Sequence, residues 1–182
     1  MPSLLLSMTI PIRLLGIFFL FVASAVVCRA NLGETEAQCI ARYGPESGIK
    51  TDLGYRQVGD KSAMFTVTTP TGSLSVTVIF LHGLSCHEAF ANTDISQGLT
   101  QDQMKGILES QKAGLKWDEQ RKQYRTYGGT TYGTIYWRRS DGAVAKFYVS
   151  GKASSRSQTG QVELSTKLYA TAQSTYDKEN GD

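Results

Sequence analysis

The stretch that decides the fold is GETEAQCIARYGP, residues 33–45, and its opening recurs as GLTQDQMKGILE at residues 98–109. In each copy a threonine is followed three residues later by a glutamine. This is the capping box that begins an α-helix. The two boxes are formed by Thr35 with Gln38 and by Thr100 with Gln103. The sequence therefore predicts two short helices whose openings lie 65 residues apart.

Patterns typical of strands follow each predicted helix. Gly44 and Pro45 end the first helix, because glycine adopts the left-handed conformation readily and proline cannot continue a helix. Alternation of apolar and polar residues, with many β-branched and aromatic side chains, then predicts strands. They are expected at 55–58, 63–69 and 74–81 after the first helix, and at 115–117, 130–139 and 143–149 after the second.

The order of these elements predicts an α+β fold. We expect an antiparallel sheet with two helices on one face, built from two helix-plus-meander repeats, because such a sheet buries one of its faces under helices. The predicted organisation is a signal peptide at 1–30, repeat 1 at 31–92, repeat 2 at 93–150 and a polar, partly disordered tail at 151–182. A marginal helix around 162–169 is expected in that tail.

The first thirty residues predict export. They contain no acidic residue, and Arg13 precedes the apolar run 14–27, as in a secretory signal peptide. The predicted location is secreted or periplasmic. We expect contact with a membrane only if Cys28 becomes lipidated at a new N-terminus or the leader is retained.

Two cysteines remain if the leader is cleaved after Ala30. Cys39 and Cys86 are an even pair in an oxidising compartment, so one disulfide between them is one prediction. Two buried free thiols are the alternative.

The charge balance does not favour a specific nucleic-acid partner. The chain has 19 basic and 16 acidic residues, a net charge of +3, and two of the basic residues lie in the leader. One basic and aromatic region stands out in the second predicted hairpin, around the turn Asp141-Gly142. Its residues form a candidate binding surface, with Trp137 expected opposite Lys146: Tyr136, Trp137, Arg138, Arg139, Lys146 and Tyr148, with Tyr132, Arg121, Lys122 and Arg125 nearby.

The sequence predicts no catalytic, cofactor or metal site. VIFLHG at 78–83 is similar to the strand and turn of an oxyanion hole, but the Gly-x-Ser-x-Gly nucleophile motif does not occur in the chain. Cys86 with His82 or His87 supplies the residue types of a thiol enzyme, and this small Cys/His enzyme is kept as an alternative function.

The helix openings resemble a family signature. GETEAQ at 33–38, followed by Tyr43-Gly44-Pro45, is similar to the Gly-x-Thr-x-x-Gln pattern of the SmpA/OmlA outer-membrane lipoproteins. The second copy at 98–109 resembles the two-repeat layout of the β-lactamase inhibitor protein family. Both resemblances imply helices on one face of an antiparallel sheet and a function in binding other proteins.

These observations predict an exported, non-catalytic module that binds a protein or associates with the cell envelope. A second hypothesis is a binder of anionic polymer or lipid through the surface from Tyr136 to Lys146. No cofactor is expected.

Overall fold

One antiparallel sheet of eight strands organises the molecule. The computed structural model describes residues 31–50, 58–94, 96–152 and 159–180. Its strand order is β1-β2-β3-β4-β8-β7-β6-β5, and every neighbouring pair is antiparallel. The elements are α1 (Glu36–Tyr43), β1 (Glu46–Lys50), β2 (Lys61–Thr69), β3 (Gly72–Leu81), β4 (Leu84–Asn92), α2 (Gln101–Ser110), β5 (Trp117–Tyr127), β6 (Thr130–Arg139), β7 (Val144–Lys152), β8 (Thr159–Ser165) and α3 (Lys167–Asn180).

Both predicted helix starts are confirmed. The Thr35 backbone N–H donates to Gln38 Oε1 over 2.8 Å, and the Gln38 N–H donates to Thr35 Oγ1 over 3.4 Å. The same reciprocal pair forms between Thr100 and Gln103, at 2.9 and 3.2 Å. Each box satisfies N–H groups that have no partner inside the first helical turn.

The sheet separates two hydrophobic clusters. Side chains alternate between faces along a strand, so Val76 and Val78 of β3 face the main core while Ile79 faces the other way. The main core contains the apolar residues of α1 and α2, including Tyr43 and Ile107. The smaller cluster joins Ile79, Cys86 and Tyr169, which places α3 over the opposite face.

The predicted fold class is wrong. The expectation was two helices on one face of a sheet built from two helix-plus-meander repeats. The described part of the chain instead forms a predominantly β structure, with eight strands and three helices. Polar residues hid some strands from the sequence pattern. For example, β4 contains the charged residue Glu88, which is fully buried.

The tail prediction is also corrected for 159–180. Residues expected to be polar and partly disordered form β8 and α3. β8 pairs with β4 on one side and β7 on the other, so it lies at the centre of the sheet. Val162 and Leu164, expected in a marginal helix, point from β8 into the main core.

Several predictions lie outside the described residues. They are the leader at 1–30 with Cys28, and most of the strand expected at 55–58. Among the residues that the structure describes, no helix is both long and apolar enough to cross a membrane.

The central position of β8 can be tested with Leu164→Ala. Leu164 is fully buried, so we expect a loss of about 2–5 kcal/mol in the free energy of unfolding, measured by urea denaturation. Gln161→Ala, on the exposed face of the same strand, is the control and should change it by less than about 0.5 kcal/mol. Equal effects of the two variants would show that β8 is not a core strand.

Candidate functional site

The structure divides the predicted binding surface between the two faces of the sheet. Trp137 and Arg139 point into the core and are 8% and 4% exposed. Tyr136, Arg138, Lys146 and Tyr148 lie on the opposite, more open face, because alternate residues of β6 and β7 point in opposite directions. Helix α3 covers part of this face and borders Arg138 and Lys146. Of the six residues predicted between Tyr136 and Tyr148, these four are therefore brought together on an accessible surface.

The division reflects a register that differs from the predicted one. Trp137 pairs with Ala145, and Lys146 pairs with Tyr136, so the expected pair of Trp137 with Lys146 does not form. The loop is longer than the two residues assumed, because the Arg139 N–H donates to the carbonyl of Ala143 over 2.9 Å. Lengthening the loop shifts every cross-strand pair.

Asp141 holds this longer loop in place. Its carboxylate accepts from Arg139 Nε over 3.0 Å and from Arg139 Nη2 over 2.7 Å. It also accepts from the backbone N–H of Ala143. These hydrogen bonds, led by that from Arg139, keep the pKa of Asp141 below its usual range. Arg139 is therefore a structural residue of the loop rather than part of the open surface.

Neighbouring strands extend the open surface. Arg121 of β5 pairs with Tyr136, and its guanidinium carbon lies 4.4 Å from the centre of the Tyr136 ring, within cation–π range. Arg125 pairs with Tyr132, which is 52% exposed. Seven residues form this surface, the basic–aromatic face: Arg121, Arg125, Tyr132, Tyr136, Arg138, Lys146 and Tyr148.

This face lies in the most basic part of the chain. Residues 120–162 contain eight basic residues and one acidic residue, Asp141, which is paired with Arg139. Residues 31–119 contain seven basic and eleven acidic residues. The net charge of +3 is therefore unevenly distributed along the chain, although Asp118 pairs with Arg138 and Glu163 pairs with Lys146 on neighbouring strands.

A cleft opens at one end of the basic–aromatic face. Its volume is about 760 Å³, and it is bordered by Arg125, Tyr132 and Tyr148 together with Asn92 of β4 and Gln161 of β8. The Tyr148 hydroxyl donates to Glu163 Oε2 over 3.0 Å, and Gln161 Nε2 donates to Glu163 Oε1 over 2.9 Å. Sequence reasoning missed Asn92, Gln161 and Glu163, because the pairing of β8 with β7 places Gln161 and Glu163 at the cleft and the pairing of β4 with β8 brings Asn92 near it.

The thiol-enzyme residues do not assemble into an activated nucleophile. Cys86 Sγ is buried and donates to the carbonyl oxygen of Ile79 over 3.2 Å. Burial raises the pKa of this thiol to about 12, so it stays protonated near neutral pH. His82 lies exposed in the β3–β4 turn, with φ of +54°.

His87 has partners of its own. Its Nδ1 lies 2.8 Å from Ser165 Oγ, and its ring stacks on Tyr169 with centroids 4.9 Å apart. Burial lowers its pKa, so the imidazole is neutral at physiological pH. Among the described residues, no group of three or more histidine, cysteine or acidic side chains is placed to hold a metal ion.

A buried polar network lies beneath the helices on the other face. Glu88 of β4 accepts from the Tyr43 hydroxyl over 3.0 Å and from Gln111 Nε2 over 2.5 Å. Arg42 Nη1 lies 3.8 Å from Glu88 Oε1, and the same guanidinium pairs with Glu34. Burial raises the pKa of Glu88, although Arg42 opposes this shift. The network ties α1 and the end of α2 to the sheet.

Comparisons with known proteins add no identity. A scan against protein-family models, a search of curated proteins and a search of solved structures each find no match to this chain.

The two cysteines provide a direct test of the structure. Cys39 and Cys86 are free thiols in different clusters, separated by the sheet. We expect residues 31–182 to have the mass of the fully reduced chain under non-reducing conditions. Both thiols should react with DTNB at pH 8 only after denaturation, because both are buried with pKa values of about 12. A disulfide between them would contradict the described packing.

The Glu88 network predicts a pH dependence of stability. The pKa of Glu88 is higher in the folded state than in the unfolded state, so the folded protein is favoured while Glu88 is protonated. The free energy of unfolding of the wild type therefore falls as pH rises from the unfolded pKa through the folded pKa. Glu88→Gln cannot ionise and does not lose stability in this way. The free energy of unfolding of the variant relative to wild type should therefore increase between pH 4 and pH 8, by about 1.4 kcal/mol per unit of pKa elevation. A pH-independent difference in urea denaturation would contradict a raised pKa for the buried carboxylate.

Proposed function

We propose that this chain is an exported, non-catalytic module that binds an acidic surface of another protein through its basic–aromatic face. The observation that carries the proposal is the composition of that face. Its four cations and three tyrosines lie on adjacent strands, on the open side of a sheet whose other side holds Trp137 in the core. Export belongs to the same proposal and depends on the leader at 1–30.

The chemistry of the face suits a protein partner. Tyrosine and arginine are enriched at protein interfaces, since tyrosine contributes a large, rigid contact area and arginine can bind a carboxylate through two parallel hydrogen bonds. Arg121 lies over the ring of Tyr136, which restricts the guanidinium before any partner arrives. Because the guanidinium is already restricted, less conformational entropy is lost when a partner binds.

The position of the face also supports binding. A strand-based platform holds its side chains in fixed register, so spacing between cations is set by the sheet rather than by flexible loops. The separation of charge along the chain favours fast encounter with an acidic partner at low salt.

A second candidate is an anionic polymer, such as an acidic polysaccharide. Residues 120–162 contain eight basic residues and one acidic residue, which favours this candidate because an excess of positive charge attracts any polyanion. The two candidates differ in what the tyrosines do. A protein interface depends on their buried contact area, whereas attraction to a polymer depends mainly on total charge.

Site-directed photo-cross-linking tests the proposal. Residues 31–182 carrying a benzophenone amino acid at Tyr136 would be incubated with envelope extract from the source cells. We expect a protease-sensitive adduct when the benzophenone amino acid stands at position 136. The control carries it at Glu109, an exposed position on α2, and should give no adduct. The double variant Arg121→Glu with Arg138→Glu should reduce the adduct at least tenfold, because it reverses two of the four positive charges on the basic–aromatic face.

The matched control reverses two lysines elsewhere. Lys105→Glu with Lys112→Glu makes the same change in net charge, on α2 and just after it, and should leave the adduct within twofold. If both double variants weaken retention on heparin equally and no protein adduct forms, the polymer candidate replaces the protein one. An adduct that survives Arg121→Glu with Arg138→Glu would refute the basic–aromatic face as the binding site.

A further inference from the structure

A second cavity lies on the other side of the sheet, between α1 and α2. Its volume is about 340 Å³, and its floor consists of Val67, Leu74, Val76 and Phe90 from β2, β3 and β4. Tyr43 of α1 and Ile107 of α2 form its walls. The cavity is open to solvent at its border, and its volume lies at the lower end of the range of small-molecule pockets, which begins at about 300 Å³.

The side chains of α2 explain why the space is open. Gln103, Gly106, Ile107 and Ser110 recur at the spacing of one helix face and border the cavity. Two of these four are small. A Cβ added at Gly106 would meet no atom within 4 Å, so this glycine is not required by close backbone contact. It costs about 1 kcal/mol of helix stability relative to alanine and leaves the mouth of the cavity unobstructed.

The dimensions limit what can enter. A hydrogen bond of 3.1 Å from Gln103 Nε2 to Thr71 Oγ1 joins α2 to the β2–β3 turn at the cavity border. An apolar cavity of about 150 Å³ takes up benzene, so one of about twice that volume suits a single chain of about ten carbons.

The polar groups at the border indicate an uncharged head group. Thr69, Thr71, Gln103 and Ser110 supply hydroxyl and amide groups. The cation that borders the cavity is Arg42, whose guanidinium already pairs with Glu34 and lies 3.8 Å from Glu88. A carboxylate or phosphate at this border would lack a new cationic partner.

We propose that this cavity, named here the α1–α2 pocket, binds the alkyl chain of an uncharged amphiphile, such as a fatty alcohol or a monoacylglycerol. The chain would lie on the floor formed by Val67, Leu74, Val76 and Phe90, and the hydroxyl head would reach the polar border. This site is on the opposite side of the sheet from the basic–aromatic face and does not depend on it.

Titration with straight-chain alcohols tests the pocket. The neutral dye N-phenyl-1-naphthylamine would report occupancy of residues 31–182, and alcohols from hexanol to tetradecanol would displace it. We expect one site per chain and an affinity that rises about fourfold per added CH₂ group, then levels off near ten carbons. Decanoate should bind at least tenfold more weakly than 1-decanol. An affinity that rises without levelling, or equal binding of decanoate, would overturn the proposal.

Two variants that fill the pocket provide the structural control. Gly106→Leu and Ser110→Leu each place an alkyl group at its border and should weaken 1-decanol binding at least tenfold. Gly106→Leu should also raise the thermal unfolding temperature, since leucine favours the helix, which separates loss of binding from loss of folding. Lys105→Leu adds the same side chain at an exposed position on α2 that does not line the pocket, and binding should stay within twofold. Unchanged binding in both filling variants would refute the site.

Discussion

The pairing of β8 with both β4 and β7 is the constraint on which the rest of the structure depends. β1 to β4 follow one another along the chain, as do β5 to β8, and only the contact of β4 with β8 joins them into one sheet. Gly160, the second residue of this strand, lies so close to β7 that a Cβ there would overlap the carbonyl oxygen of Tyr148. Without β8, neither the continuous core nor the cleft beside Gln161 would exist.

Alternation along the strands then gives the two faces separate chemistry. On β6 and β7, neighbouring residues point to opposite faces. Trp137 and Phe147 lie in the core, whereas Tyr136 and Lys146 lie on the open side. The open side gathers cations because β5, β6 and β7 come from one basic part of the chain. The covered side is apolar apart from the Glu88 network. Binding of an anionic partner and binding of an alkyl chain are therefore assigned to opposite sides of one scaffold.

The Glu88 network shows how the helices are held over the sheet. Tyr43 comes from α1 and Gln111 follows α2, and both donate to the same carboxylate. The backbone carbonyl oxygen of Gln111 accepts a hydrogen bond from Arg139 Nη1, and Asp141 holds the Arg139 side chain in place. A buried carboxylate needs such partners because burial disfavours its charged form. Arg42 and Tyr43 of this network also border the α1–α2 pocket.

The sequence by itself determined the local features of this protein. The capping boxes at Thr35 and Thr100 and the bounds of β6 follow from short-range hydrogen bonding and side-chain alternation, which a chain carries wherever it packs. Only the tertiary structure decided that residues 159–165 form a central strand, that Cys39 and Cys86 lie on opposite sides of the sheet, and that Trp137 is buried. These depend on strand order and on a loop held by Asp141. Such long-range pairing leaves little trace in the residues it joins, because polar segments become buried once their backbone groups find partners in a sheet.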